Sequence, residues 1–326
     1  MAKLRTNHTR SKRPFSGLLI RVVLMIIVLG ILFVMLYRLL ERTHGEDSVS
    51  YDSFSTENTI GGVLDNDVLK TADARSNKSG SLTRTDPLIP QGSQAEVVRH
   101  QYYTLGYNEQ YEQAEWVSYL LTRDNLKIPN VKRHDRFEND PEVSTGSATY
   151  YDYRGSGYSR GHLAPAGDMA QNETAMRESF YMSNMSPQKI PFNGGIWREL
   201  EECVRDWTYT NANLYIVSGP ILSTVNNYIG SKNRVGVPEE FYKVILDYEG
   251  NDKKAIGFIM SNEVSEKPIM DFAVSVDAVE RRTGLDFFDG ILNDDIEERL
   301  ESDLNTAYWK VSTKRYNTRI NNWNNR

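Results

Sequence analysis

Arg160 and His162 stand two residues apart, with Gly161 between them, in the run Tyr158-Ser159-Arg160-Gly161-His162. On an extended segment alternate side chains share a face, so the guanidinium and the imidazole are expected side by side. A neutral imidazole takes a proton from water. A guanidinium neutralises charge growing on phosphate oxygens, so the pair suits attack on a phosphodiester. Downstream, Asn193 leads into a helix whose apolar stripe is Ile196, Leu200, Cys203, Val204 and Trp207. Its amide oxygen would project from the start of that helix, and carbonyl oxygen plus water suits Mg²⁺. Glu201 and Arg205 follow on the same helix. Taken singly, each residue also has a plain structural reading. Asn193 serves as an N-cap, Glu201 and Arg205 as a helical ion pair, Gly155 and Gly157 as turn residues, and Cys203 as a packed hydrophobe.

These side chains need a scaffold of strands and helices. Val97–Tyr103 reads as a strand, and Gln110–Thr122 as a helix with Ala114, Val117, Tyr119 and Leu120 at mixed helical spacing. The apolar run Leu214–Val217, stopped by Gly219-Pro220, reads as a buried strand. Phe241–Tyr248 and Ala255–Met260 read as two more strands, separated by a turn, and Val276–Thr283 as a helix closed by Gly284. Strands and helices without regular alternation predict an α+β core.

Composition narrows the class. With 39% apolar and 25% charged residues in 326, the chain is neither fully disordered, collagen-like nor a multi-span membrane protein. Its single cysteine excludes an intrachain disulfide, and five histidines leave little for a multi-histidine metal site. The net charge of −6 at first sight opposes a partner as acidic as nucleic acid. That charge is unevenly spread. Residues 1–42 carry Lys3, Arg5, Arg10, Lys12, Arg13, Arg21, Arg38 and Arg42 against Glu41 alone, so the remainder is more acidic than the sum implies. Contact with a polyanion is therefore expected to rest on local groups, Arg160, Arg205 and Arg154 with a bound metal, and to be weak and salt-sensitive.

Residues 17–40 are nearly continuously apolar and, at roughly 1.5 Å per helical residue, long enough to cross a bilayer. The basic residues before them place 1–16 in the cytoplasm, make 17–40 a transmembrane signal anchor and send the rest to the extracytoplasmic side, periplasmic or extracellular. A cleaved signal peptide, giving a secreted protein, is the rival reading. Residues 41–94, rich in Ser, Thr, Asn, Asp and Gly, read as a flexible linker that docks near Pro87-Leu88-Ile89-Pro90, and 95–326 as the folded domain.

The ordered ensemble is more specific than its parts. Ser159-Arg160-Gly161-His162, Asn184-Met185-Ser186-Pro187-Gln188 and Asn193-Gly194-Gly195-Ile196-Trp197-Arg198-Glu199-Leu200-Glu201 closely resemble the signature of the DNA/RNA non-specific endonuclease family, Asp-Arg-Gly-His, Asn-x-x-Pro-Gln and Asn-x-x-x-Trp-x-x-Leu-Glu. The likeness runs from about His100 to Phe288. It implies a ββα-metal (His-Me finger) nuclease domain with a mixed central sheet. It also implies His162 as general base, Asn193 as the sole protein ligand of a hydrated Mg²⁺ (with Mn²⁺ as substitute), and Arg160 as a phosphate contact. Asn184, Glu201 and Arg205 would be supporting residues. The implied reaction is hydrolysis of internal phosphodiesters in DNA and RNA, leaving 5′-phosphate ends. One departure stands out: Ser159 occupies the family's Asp position. With His162 and Asn193 both present an active enzyme is expected. The alternative is a weak or inactive member that binds nucleic acid outside the cytoplasm. Whether the domain forms a homodimer, and whether an inhibitor protein acts on it, stay open in the sequence.

Overall fold

In the computed structural model, residues 89–211, 213–249, 252–289 and 291–324 are described. The expected cytoplasmic segment 1–16, the anchor 17–40 and the linker as far as 88 lie outside them. No helix among the described residues is long and apolar enough to cross a membrane.

The scaffold is a seven-stranded sheet of β1 (Glu96–Arg99), β2 (Thr104–Asn108), β3 (Gln113–Thr122), β6 (Asn213–Pro220), β9 (Glu240–Asp247), β10 (Lys254–Ser261) and β11 (Ala273–Val274), in the order β1-β2-β3-β6-β9-β10-β11. Every neighbouring pair runs antiparallel. The expected mixed sheet is thus corrected to a wholly antiparallel one. The reason is connectivity: short turns join β1 to β2, β2 to β3 and β9 to β10, and a short turn can only reverse the chain. Two small ribbons stand outside the sheet, β4 (Tyr158–His162) with β5 (Met185–Lys189), and β7 (Asn227–Ile229) with β8 (Val235–Val237).

The predicted helix over Gln110–Thr122 is strand β3. This strand is covered on both faces, with Trp116 packed into one apolar cluster and Val117, Tyr119 and Leu121 into the other. A strand buried on both sides loses polar-apolar alternation, and so imitates helical spacing. The expected strand over Val97–Tyr103 is shorter, ending at Arg99, because the chain turns through 100–103 with His100 N–H bonded to the Tyr103 carbonyl. The other expectations hold: β6, β9 and β10 are strands, and helix α4 (Val276–Thr283) ends at Gly284, whose φ of 76° is left-handed.

The two faces of the sheet carry different layers. On one lies the long helix α3 (Arg198–Asn211), which buries Leu200, Cys203, Val204 and Trp207 against Val117, Ile216, Ile245 and Phe258. Burial of each large apolar side chain contributes on the order of 1.5–3 kcal/mol. On the other face α4 and helix α5 (Asp294–Ser302) pack over Trp116, Val217, Val244 and Leu246. Contacts with the domain already begin before residue 95: Pro90 is buried, Ile89 packs on the second face, and Gln91 bridges Asp286. Near the C-terminus the buried Arg319 pairs with Glu199 of α3 and donates to the carbonyls of Ser265 and Lys267.

Candidate active site

Strands β4 and β5 pair antiparallel, with Ser159 opposite Gln188 and His162 opposite Met185. The chain then turns through Ile190–Phe192 and the wider helical turn Asn193–Trp197 into α3. This succession, two strands and a helix, brings the motif residues to one place. Gly161 is required where it stands: a Cβ there would lie 2.0 Å from Gln188 Oε1.

His162 is buried, and its Nε2 has no hydrogen-bond partner among the described residues. Phe180 meets its ring edge-on at 4.8 Å between centroids, and Phe137 lies 6.1 Å away. Burial first, and the charge of Arg133 second, push the imidazole down to about 3, so at neutral pH it is uncharged and able to accept a proton. Arg160, two residues back on the same face, stacks over Tyr150 at 3.9 Å and over Phe137 at 5.1 Å, and donates to the Tyr150 carbonyl at 3.1 Å. Phe137 therefore touches both members of the expected pair.

Asn193 donates its side-chain N–H to Ser159 Oγ at 3.0 Å, while that hydroxyl donates to the Gln188 carbonyl at 2.8 Å. A hydroxyl has one proton. With it committed to Gln188, Ser159 only accepts from Asn193, and this holds the amide with Oδ1 turned the other way.

Asn184 lies behind the reacting groups. Its side chain accepts from Ala164 N at 2.8 Å and donates to the carbonyls of Ala164 and Ser179 at 2.9 and 2.8 Å. It ties the segment after His162 to the end of helix α2 (Glu173–Ser179), which makes it a positioning group.

Glu201 and Arg205 sit on α3 above a buried polar cluster. Arg205 Nη1 reaches Asp168 Oδ1 at 2.6 Å and its Nη2 reaches Glu202 at 3.3 Å, while Tyr119 donates to Asp168 Oδ2 at 2.8 Å. The Glu201 carboxyl is raised above the ordinary carboxylate range by desolvation, against the pull of Arg205 and Lys243. Lys243, fully buried on β9, is lowered by desolvation, with Glu201 opposing. Its Nζ has no hydrogen-bond partner among the described residues and lies 4.9 Å from the centre of the Trp197 ring.

Residue spacing left Asp168, Lys243 and Phe137 without a role. Lys243 had a visible signal, a cation inside the apolar strand Phe241–Leu246. Phe137 and Asp168 had none, because their roles depend on contacts between distant segments.

A family model for the DNA/RNA non-specific endonuclease matches residues 81–294. The chain belongs to that family. Nuclease C1 of Cunninghamella echinulata var. echinulata is 38% identical over 228 residues, covering 65% of this chain and 89% of the relative. Human mitochondrial endonuclease G is 33% identical over 211 residues, covering 61% of this chain and 71% of the relative. A crystal structure of an EndoG/EndoGI complex, described as showing the mechanism of EndoG inhibition, superposes with a TM-score of 0.57 at 33% identity, over 62% of this chain and 89% of that one. As a member of the DNA/RNA non-specific endonuclease family the protein is an enzyme, a hydrolase acting on nucleic acids, and its fold is of the endonuclease G type.

The donor set fits the metal expected for such an enzyme. Asn193 offers one amide oxygen, its amide nitrogen being held by Ser159, with the Glu201 carboxylate on the helix that follows. Oxygen donors and a low count of protein ligands suit Mg²⁺, which keeps most of its waters.

Proposed function

We propose that the protein is a Mg²⁺-dependent, sugar-non-specific endonuclease that cuts internal phosphodiesters of DNA and RNA and leaves 5′-phosphate ends. The observation that carries this reading is the buried, uncharged His162, which shares strand β4 with Arg160 and whose Nε2 has no hydrogen-bond partner among the described residues. His162 takes the proton of the attacking water. The incoming phosphate charge raises the imidazole's proton affinity, opposing the burial and the Arg133 charge that depress it. Arg160, steadied by its aromatic neighbours, meets the phosphate oxygens as they gain charge. Asn193 would hold the metal, with Glu201 receiving hydrogen bonds from its waters and Arg205 and Lys243 keeping Glu201 ionised. When bound, Mg²⁺ (or Mn²⁺) supplies Lewis-acid stabilisation of the leaving 3′ oxygen.

Ser159 supports an active enzyme over a nucleic-acid-binding protein without activity, since it supplies the acceptor that orients Asn193. The solved EndoG complex supports a protein inhibitor for this enzyme also. The apolar segment 17–40 and the basic residues before it support an anchored enzyme with its catalytic domain outside the cytoplasm.

The test uses the full-length chain in mild detergent, with supercoiled plasmid and with RNA. Wild type should nick plasmid and degrade RNA with Mg²⁺ and stop with chelator. His162→Ala should lose roughly 10²–10⁴-fold, the usual contribution of a general base. Undiminished cleavage by His162→Ala sinks the assignment.

A further inference from the structure

The face of the sheet opposite His162 carries a second concentration of charge that the nuclease chemistry does not use. Asp277 and Glu280 stand on α4, Asp286 in the segment that follows, and Glu297 and Glu301 one turn apart on α5. One carboxylate oxygen from each of Asp277, Glu280 and Glu301 lies within 4.8 Å of the other two. The same holds for Asp286, Glu297 and Glu301, so Glu301 is common to both triads.

Glu301 is only 7% exposed, and its Oε1, shielded from solvent, has no hydrogen-bond partner among the described residues. Glu297 Oε1 is shielded and unpartnered in the same way. Among the described residues, the one ion pair made by these five acids is Asp277 with Arg281 at 3.7 Å, and Arg281 is largely exposed. Burial, reinforced by the neighbouring carboxylates, pushes Glu301 up to about 9 and Glu297 up to about 7. A buried carboxylate without a counter-charge is costly, and either a proton or a cation relieves it.

We propose that Asp277, Glu280, Asp286, Glu297 and Glu301 form a divalent-cation site of calcium type that ties α5 to α4, separate from the nuclease centre. The donors are all hard carboxylate oxygens. The three oxygens of a triad lie within 4.8 Å of one another, close enough to share one ion, and calcium's bonds of roughly 2.3–2.6 Å ask less convergence of them than the ~2.0–2.1 Å of Mg²⁺. They also come from three segments of chain, which suits calcium's tolerant geometry better than the strict octahedron of Mg²⁺. The ion would replace repulsion between two helices by a shared attraction. Its effect is on the stability of the α4–α5 layer, with no part in the reaction.

The experiment is thermal unfolding of the chelator-stripped full-length chain in detergent at neutral pH, with CaCl₂ or MgCl₂ added, alongside calorimetric titration with CaCl₂. Asn193→Ala serves as background, so that metal at the nuclease centre does not contribute. In that background CaCl₂ should raise Tm by roughly 5–10 °C at about 100 times its dissociation constant, with MgCl₂ doing less. Glu301→Gln, which removes a ligand of both triads, should abolish the rise and the calorimetric binding, and Asp286→Asn, which removes a ligand of one, should weaken both. Glu301→Gln alone should also be more stable than its parent without metal, since it removes a carboxyl that must take up a proton to stay buried at neutral pH. In the otherwise wild-type enzyme, Glu301→Gln should leave Mg²⁺-dependent cleavage unchanged. No calcium-dependent rise in Asn193→Ala, or an equal rise in Glu301→Gln and Asp286→Asn, overturns the proposal. Stability that responds to pH but not to calcium overturns it too, because the cluster is then relieved by protons.

Discussion

The hydroxyl of Ser159 accepts a 3.0 Å hydrogen bond from the side-chain amide of Asn193, and spends its own proton on the Gln188 carbonyl 2.8 Å away. The family's Asp at this position would be an acceptor as well. What the substitution keeps is the orientation of Asn193; what it drops is one negative charge beside that side chain.

Ser159→Ala should therefore free the Asn193 amide to rotate. The lost hydrogen bond is worth about 0.5–1.5 kcal/mol, so the Mg²⁺ concentration for half-maximal cleavage should rise roughly 2–10-fold. Ser159→Asp, still an acceptor, should not show this loss. A Mg²⁺ titration unchanged in Ser159→Ala refutes the orienting role.

Glu201 and Lys243 should shape the pH dependence of cleavage. His162 is already uncharged at mildly acid pH, so it does not set the acid limb. Glu201 does, because its carboxyl is raised and must be ionised to act. Activity should fall on acidification well before the ordinary glutamate value of about 4.3 is reached. Removing the nearby cation in Lys243→Met favours the protonated form of Glu201 and should move the limb to higher pH. Profiles of kcat/KM for both proteins check this, and a limb that stays in place refutes the coupling.

Stability should depend on pH through His162. Its folded value of about 3 lies below the unfolded value of roughly 6.5. Above the unfolded value neither state binds the proton, and nothing is lost. As pH falls through the window between the two values, the unfolded chain gains a proton that the folded one refuses, and stability drops by up to about 1.4 kcal/mol per pH unit. Denaturant unfolding at pH 7 and 5 should show a loss in wild type that is about 2 kcal/mol smaller in His162→Gln. Equal losses in the two proteins contradict the buried neutral imidazole.

Arg319 should matter for folding although it is remote in sequence from the motif. It is fully buried, and Arg319→Leu leaves the Glu199 carboxylate of α3 buried without its partner. The cost should be about 3–5 kcal/mol. Arg319→Leu together with Glu199→Leu should recover much of it, and a single variant as stable as wild type shows that the pair is not formed.

The family and the local geometry of the candidate site were legible in the sequence because they are written in short-range spacing. The alternation of Arg160 and His162, the Asn193 to Glu201 interval and the apolar stripe of α3 are all local, and each survives in the structure. So are β6, β9, β10 and the Gly284 cap. Strand β3 was misread because burial on both faces erased its period. The antiparallel order of the sheet, the Ser159 bond to Asn193, the Asp168 grip on Arg205, Lys243 beneath Glu201 and the carboxylates shared between α4 and α5 were decided by the tertiary structure alone. Each depends on which distant segments meet and at what register, and a hydrogen bond or a buried charge takes its strength from partners and solvent exclusion that a linear spacing does not specify.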